Sequence, residues 1–359
     1  MRNYLTTINY DLQGLKKILL EGSSSPSFNS VSVFSLFRDI CIALNEANNV
    51  LKSDGVIDSD FPNMKAINEI RQKIKTDQGQ DNRKVFKKMM NMHIDYFGED
   101  IDNLGFYLDE DILAGSTLFP SFIFIDVDSL DIFDRNSVLS FTSFIGSLMQ
   151  EVINEINQPM ILDSKPIKVF NEEGYHPKDI WNQRFFTQDI AYNVFLTRLN
   201  LIQSELTTCT WLENHLDYKS SKLTHDKYIL LRLTSIKLYE VMRNLLSIKS
   251  RLERHWKSLN LNILDDLLKE YKITFEGELK KLRDMHHYDN KGENFYDYID
   301  CEIGNDPNYA DKLINIIFND YIHKVRNAIS ATIDIQSYDS MSESEMIERR
   351  IESRFYQDE

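Results

Sequence analysis

Apolar residues recur along this chain mostly at three- and four-residue intervals, the repeat that lays one apolar stripe along an α-helix. The spacing predicts a first helix over about 9–20, stopped by Gly22-Ser23-Ser24-Ser25-Pro26. A second, over about 31–51, carries the stripe Phe34, Phe37, Cys41, Leu44 and Asn48. Asp60-Phe61-Pro62 opens a third through Ile67, Ile70 and Ile74. Asp81-Asn82 caps a fourth, with Phe86, Met89, Met90, His93 and Phe97 on one face. The pattern breaks at Ser121–Asp131, SFIFIDVDSLD, a short Phe- and Ile-rich run that predicts a strand over 121–127. Helical spacing returns from Ser137 to Ile156.

Residues 157–180 hold Pro159, Pro166, Gly174 and Pro177 with little periodicity, which marks a linker. It divides a mostly α-helical N-terminal domain, 1–156, from a C-terminal one, 181–336. Four amphipathic blocks follow the linker, at about 187–212, 226–252, 263–287 and 309–333. Their lengths and joins predict a four-helix bundle. The second block is apolar over more than one face, from Leu230 to Ile248, which calls for either a homodimer contact or cover by the N-terminal domain. A polar, charged tail occupies 337–359.

Composition narrows the class. The net charge of −15 over 359 residues speaks against a protein that coats nucleic acid, though a local basic site stays open. Residues 63–90 hold eight basic side chains against three acidic, and 91–135 hold eleven acidic against one basic. The basic segment, with Lys84, Lys87 and Lys88, is either a solvated face drawn to the acidic one or an RNA-contacting edge. Three scattered cysteines, Cys41, Cys209 and Cys301, fit neither a disulfide framework nor a zinc ribbon. The first residues lack a signal-peptide pattern and the longest apolar run is too short to span a bilayer, so the expectation is a cytoplasmic protein without membrane contact.

No P-loop, GxGxxG, HExxH or GxSxG pattern occurs. Gly115-Ser116 followed by Asp126 and Asp128 fits loosely the Gly-Ser turn and metal-holding carboxylates of a nucleotidyltransferase. The stronger candidate is Leu282-Arg283-Asp284-Met285-His286-His287-Tyr288. On a helix continuous to His287, Arg283 and His287 share a face and His286 continues the apolar stripe. The bland reading is an arginine paired with nearby carboxylates and a histidine complementing the helix dipole. Glu240, on the second block, is placed to face the pair, and Asp284 and Tyr288 to support it.

A helical bundle whose third helix ends in Leu-Arg-x-x-x-His-Tyr resembles the HEPN family (higher eukaryotes and prokaryotes nucleotide-binding), over about 187–333. Three residues separate Arg283 from His287 here, where the family has four to six. The resemblance implies a metal-independent endoribonuclease of a bacterial defence or toxin system, with no cofactor and a site assembled by a homodimer. Arg283, His287 and His286 would be its catalytic residues. A histidine would move protons while RNA's own 2′-hydroxyl attacks, and an arginine would hold the phosphate oxygens. The rival expectation is a non-catalytic helical module that dimerises or docks a protein partner. A weaker one fuses a nucleotidyltransferase-like domain to the bundle.

Overall fold

A computed structural model of the chain describes residues 4–24, 30–62, 64, 65, 67, 68, 82–97, 103–119, 135–168, 175–259, 261–288, 292–342, 344, 345, 347 and 348. The protein is mostly helical, with one small antiparallel sheet. The N-terminal half supplies α1 (Tyr4–Ser24), α2 (Ser30–Ser53), α3 (Asn82–Phe97), β1 (Asn103–Asp109), β2 (Ile112–Ser116) and α4 (Arg135–Ile156). After it come β3 (His176–Trp181), α5 (Asn182–Phe185), α6 (Ile190–His215), α7 (His225–Arg251) and α8 (Glu253–Ser258). Next come α9 (Asn262–Thr274), α10 (Glu276–Asp284), α11 (Phe295–Asn305), α12 (Tyr309–Asn315) and α13 (His323–Ile333). A π-helical segment, Ile316–Ile322, joins α12 to α13.

The strand expected over 121–127 lies outside the described residues. The sheet is built elsewhere, in the order β2-β1-β3. β1 alternates buried Leu104, Phe106 and Leu108 with half-buried neighbours, the period of a strand with one covered face. Its edge is taken by β3, which comes from the span read as a linker. Two residues expected in the tail pack on the body of the protein. Tyr338 packs its ring on Phe185, and Met341 N–H donates to the Asp179 carbonyl.

The halves on either side of residues 157–180 pack against each other. α6 is covered on almost every side, by α2, α3, α7, α13 and β2. Many of its polar groups are consequently buried, and two of them meet partners from the other half: Gln203 Nε2 donates to the Leu113 carbonyl at 2.6 Å, and Asn200 Oδ1 accepts from Ser116 Oγ at 3.0 Å. Gly115-Ser116 therefore sits in a strand, with the serine buried, and not in a nucleotidyltransferase-type turn. Asp126 and Asp128 lie outside the described residues. α7 has its apolar residues covered within the chain, Leu230, Leu231, Leu233, Leu238, Val241, Met242 and Leu245 among them, partly by α1. Gly14 permits that approach, because a Cβ there would stand 2.5 Å from Ile229 Cγ1. Among the described residues no helix is long and apolar enough to cross a membrane.

Candidate functional site

The helix expected over 263–287 is two helices. Thr274 turns its hydroxyl back to the Glu270 carbonyl, Phe275 leaves helical geometry at φ −131° to stack on Tyr321, and Gly277 follows as a weak helix former. α10 then ends at Asp284. His286 N–H donates to the Arg283 carbonyl and His287 N–H to that of Asp284, so both histidines lie in a turn beyond the helix. Arg283 and His287 are thus not neighbours on one helical face. Each meets a different helix: Arg283 meets α7, on which α10 packs, and His287 meets α2.

Arg283 closes the helix with its guanidinium 30% exposed. Its Nε lies 3.3 Å from Glu240 Oε1 on α7, its NH1 3.2 Å from Asp284 Oδ1, and its plane near the Tyr239 ring. His287 is 51% exposed, and its Nδ1 stands 3.3 Å from Glu46 Oε2 on α2. Glu46 also accepts from the buried Asn45 amide. Glu240 therefore orients the arginine, while the carboxylate facing the histidine comes from α2, a partner the sequence reading did not name.

His286 behaves differently. It is 8% exposed, and neither ring nitrogen has a hydrogen-bond partner among the described residues. Burial first, and the Arg232 charge second, push its pKa down to about 3, against the opposing pull of Asp39 and Glu46. It is a neutral core imidazole at physiological pH, and its burial matches the apolar side on which the sequence placed it.

Two buried ionic clusters lie behind the turn. In one, Lys237 Nζ reaches Asp39 at 2.7 Å, Glu205 at 2.6 Å and Ser35 Oγ at 3.0 Å, while Arg38 reaches Glu205 at 2.8 Å. Lys237 is fully buried. Burial alone would raise the Asp39 carboxyl, but Lys237 and then Arg38 hold it below its ordinary value. Nearby Cys209 is pushed up to about 12 by burial, so it is no nucleophile. In the other cluster Asp11 of α1 pairs with Arg232 at 2.9 Å and accepts from the Tyr228 and Tyr288 hydroxyls. Tyr288 is thereby buried, and its hydroxyl is raised well above the usual phenol range by burial and then by Asp11.

Comparison with protein-family models, with curated proteins and with solved structures finds no match. The geometry must carry the functional reading alone. It holds Arg283 against Asp284 and Glu240, and His287, four residues on, against Glu46, with His286 and Tyr288 buried in the same turn. Lys84 and Lys87 are exposed on α3, which packs on α6, whereas this cluster is built on α2, α7 and the end of α10. The side chain of Lys88 lies outside the described residues. Among the described residues no three of His, Cys, Asp and Glu are grouped to hold a metal ion.

Proposed function

We propose that the Arg283–His287 surface acts on RNA, as a metal-independent endoribonuclease of the HEPN-like kind. The observation that carries it is the pairing of one half-exposed imidazole with a carboxylate from another helix, four residues from a partly exposed guanidinium that carboxylates also hold. Nδ1 facing Glu46 fixes the ring and leaves Nε2 to exchange a proton, the arrangement a general acid–base needs. In the proposed reaction a 2′-hydroxyl gives its proton to His287 as its oxygen attacks the adjacent phosphorus. The bond from phosphorus to the 5′-oxygen breaks, that oxygen takes a proton from solvent, His287 later gives its proton back to solvent, and a 2′,3′-cyclic phosphate remains. Arg283, held in plane by Glu240 and Asp284, would meet the charge that builds on the non-bridging oxygens. The exposure of both groups also suits a site shared between two copies of the chain.

Cleavage of single-stranded and structured RNA in the presence of EDTA tests the reading. His287→Ala and Arg283→Ala are expected to lose activity by about 100-fold or more while melting close to the parent, because both side chains are partly exposed. Parent activity that survives in His287→Ala would overturn the assignment. No cleavage by the parent on any RNA would favour the non-catalytic module. For that reading the observation is that both carboxylates engaging Arg283 already satisfy it within the chain.

A further inference from the structure

Behind the turn carrying the two histidines, one buried carboxylate gathers three donors. Asp11 takes Arg232 Nε and the Tyr288 hydroxyl on Oδ2, each at 2.9 Å, and the Tyr228 hydroxyl on Oδ1 at 2.7 Å. Arg232 also donates to the Met285 carbonyl at 3.1 Å and lies over the Phe295 ring. The turn is therefore tied at both ends, Met285 and Tyr288, to a single ion pair. The two residues between the ties are His286 and His287.

The position of Asp11 is set by the close approach of α1 to α7. Gly14 sits against Ile229, and Asp11 and Arg232 each lie three residues from that contact, on the facing helices. Buried ion pairs add little net stability compared with apolar residues packed in their place. What an ion pair adds is direction, since its donors and acceptors accept one geometry.

We propose that Asp11 is a positioning residue for His287. Through Tyr288, and through Arg232 on the Met285 carbonyl, it fixes the turn so that His287 meets Glu46 while His286 stays inside. The N-terminal half thus sets the geometry of a motif carried more than 270 residues later. This rests on reading His287 as the acid–base group for RNA, and it assigns control of that group's placement to α1.

The test compares two isosteric deletions made around the same carboxylate in the full chain. Tyr288→Phe removes the bond that ties the turn, and Tyr228→Phe removes one that does not touch it. Asp11→Asn leaves the buried Arg232 short of its counter-charge and is expected to fold poorly, so the tyrosine pair carries the comparison. Tyr288→Phe should lower kcat for RNA cleavage about 10- to 100-fold with KM within about two-fold, and Tyr228→Phe should leave kcat within about two-fold. The imidazole cross-peaks of His287 in a proton–carbon correlation spectrum should move in Tyr288→Phe and stay in Tyr228→Phe. Equal effects of the two variants on kcat and on the cross-peaks, or no effect of Tyr288→Phe, would overturn the proposal. If the parent cleaves no RNA, the catalytic reading fails and the spectra decide the positioning alone. A shift confined to Tyr288→Phe then supports it, and identical or absent shifts sink it.

Discussion

Burying His286 makes the fold acid-sensitive in a defined direction. In the folded chain its pKa is pushed down to about 3, against 6.5 for a free imidazole. As pH falls through 6.5 the unfolded chain takes up a proton at this position and the folded chain does not. Stability from this group is therefore complete above 6.5 and is lost progressively as pH drops toward 3. Between about pH 7.5 and pH 5 one such group removes about 2 kcal/mol. Arg232 and His287 face the ring and oppose its protonation, while Asp39 and Glu46 favour it. His93, pushed down to about 4, and His225, also lowered by burial, act in the same direction. The diagnostic quantity is accordingly a difference between two chains. His286→Gln keeps a polar side chain and removes the titration. Urea unfolding at both pH values, followed by two spectroscopic probes, should show the parent losing about 2 kcal/mol more than the variant. Parallel losses in parent and variant would refute the reasoning, since they would mean that His286 titrates alike in both states.

Lys237→Met should cost about 3–5 kcal/mol in the same assay, because it leaves two buried carboxylates, Asp39 and Glu205, with Arg38 alone to balance them; a loss under about 1 kcal/mol would mean that water reaches the cluster. If the basic face of α3 guides RNA, the Lys84→Glu, Lys87→Glu, Lys88→Glu variant should bind more weakly and with a flatter salt dependence in filter-binding titrations, at nearly unchanged melting temperature. Unchanged binding would leave those lysines as a solvated face. A site shared by two protomers predicts a dimer in light scattering at micromolar concentration. A monomer that still cleaves would assign the whole site to a single chain, in which Glu46 already faces His287.

Helix class was legible because it depends on short-range spacing. α2, α4, α6 and α7 start and stop within a few residues of the apolar stripes that announce them, and the block expected over 309–333 is covered by α12, the π-helical segment and α13 in succession. The sheet was missed although β1 holds a period-two signal in Leu104, Phe106 and Leu108, because the denser apolar run at 121–127 outweighed it. The break at Phe275 had local signs in Thr274 and Gly277, but the ring that draws Phe275 out of the helix, Tyr321, is remote in sequence. The relation of Arg283 to His287 was not legible, because a helix continued past its true end puts two turn residues on its face.

The partners of the site were hidden for a different reason. On α2, Ser35, Asp39 and Glu46 fall at helical spacing and read alone as a solvent face, yet Asp39 is 1% exposed because Lys237 comes down on it. A polar stripe carries no sign of which charge will cover it. The usable signal sits on the opposite helix. In α7, Arg232 and Lys237 each interrupt a run that is apolar on both sides, Leu230-Leu231-Arg232-Leu233 and Ile236-Lys237-Leu238. A cation in such a run has no solvated face to turn to, so it must find a carboxylate from another element. Asp11, set between Tyr10 and Leu12, and Asp39, next to Ile40, satisfy the same test from the other side. The two pairings, Arg232 with Asp11 and Lys237 with Asp39, then constrain where α1 and α2 sit on α7, and α2 carries Glu46 to His287. The place of the histidine turn thus follows from charge pairing across the whole chain, which the period of its own helix could not supply.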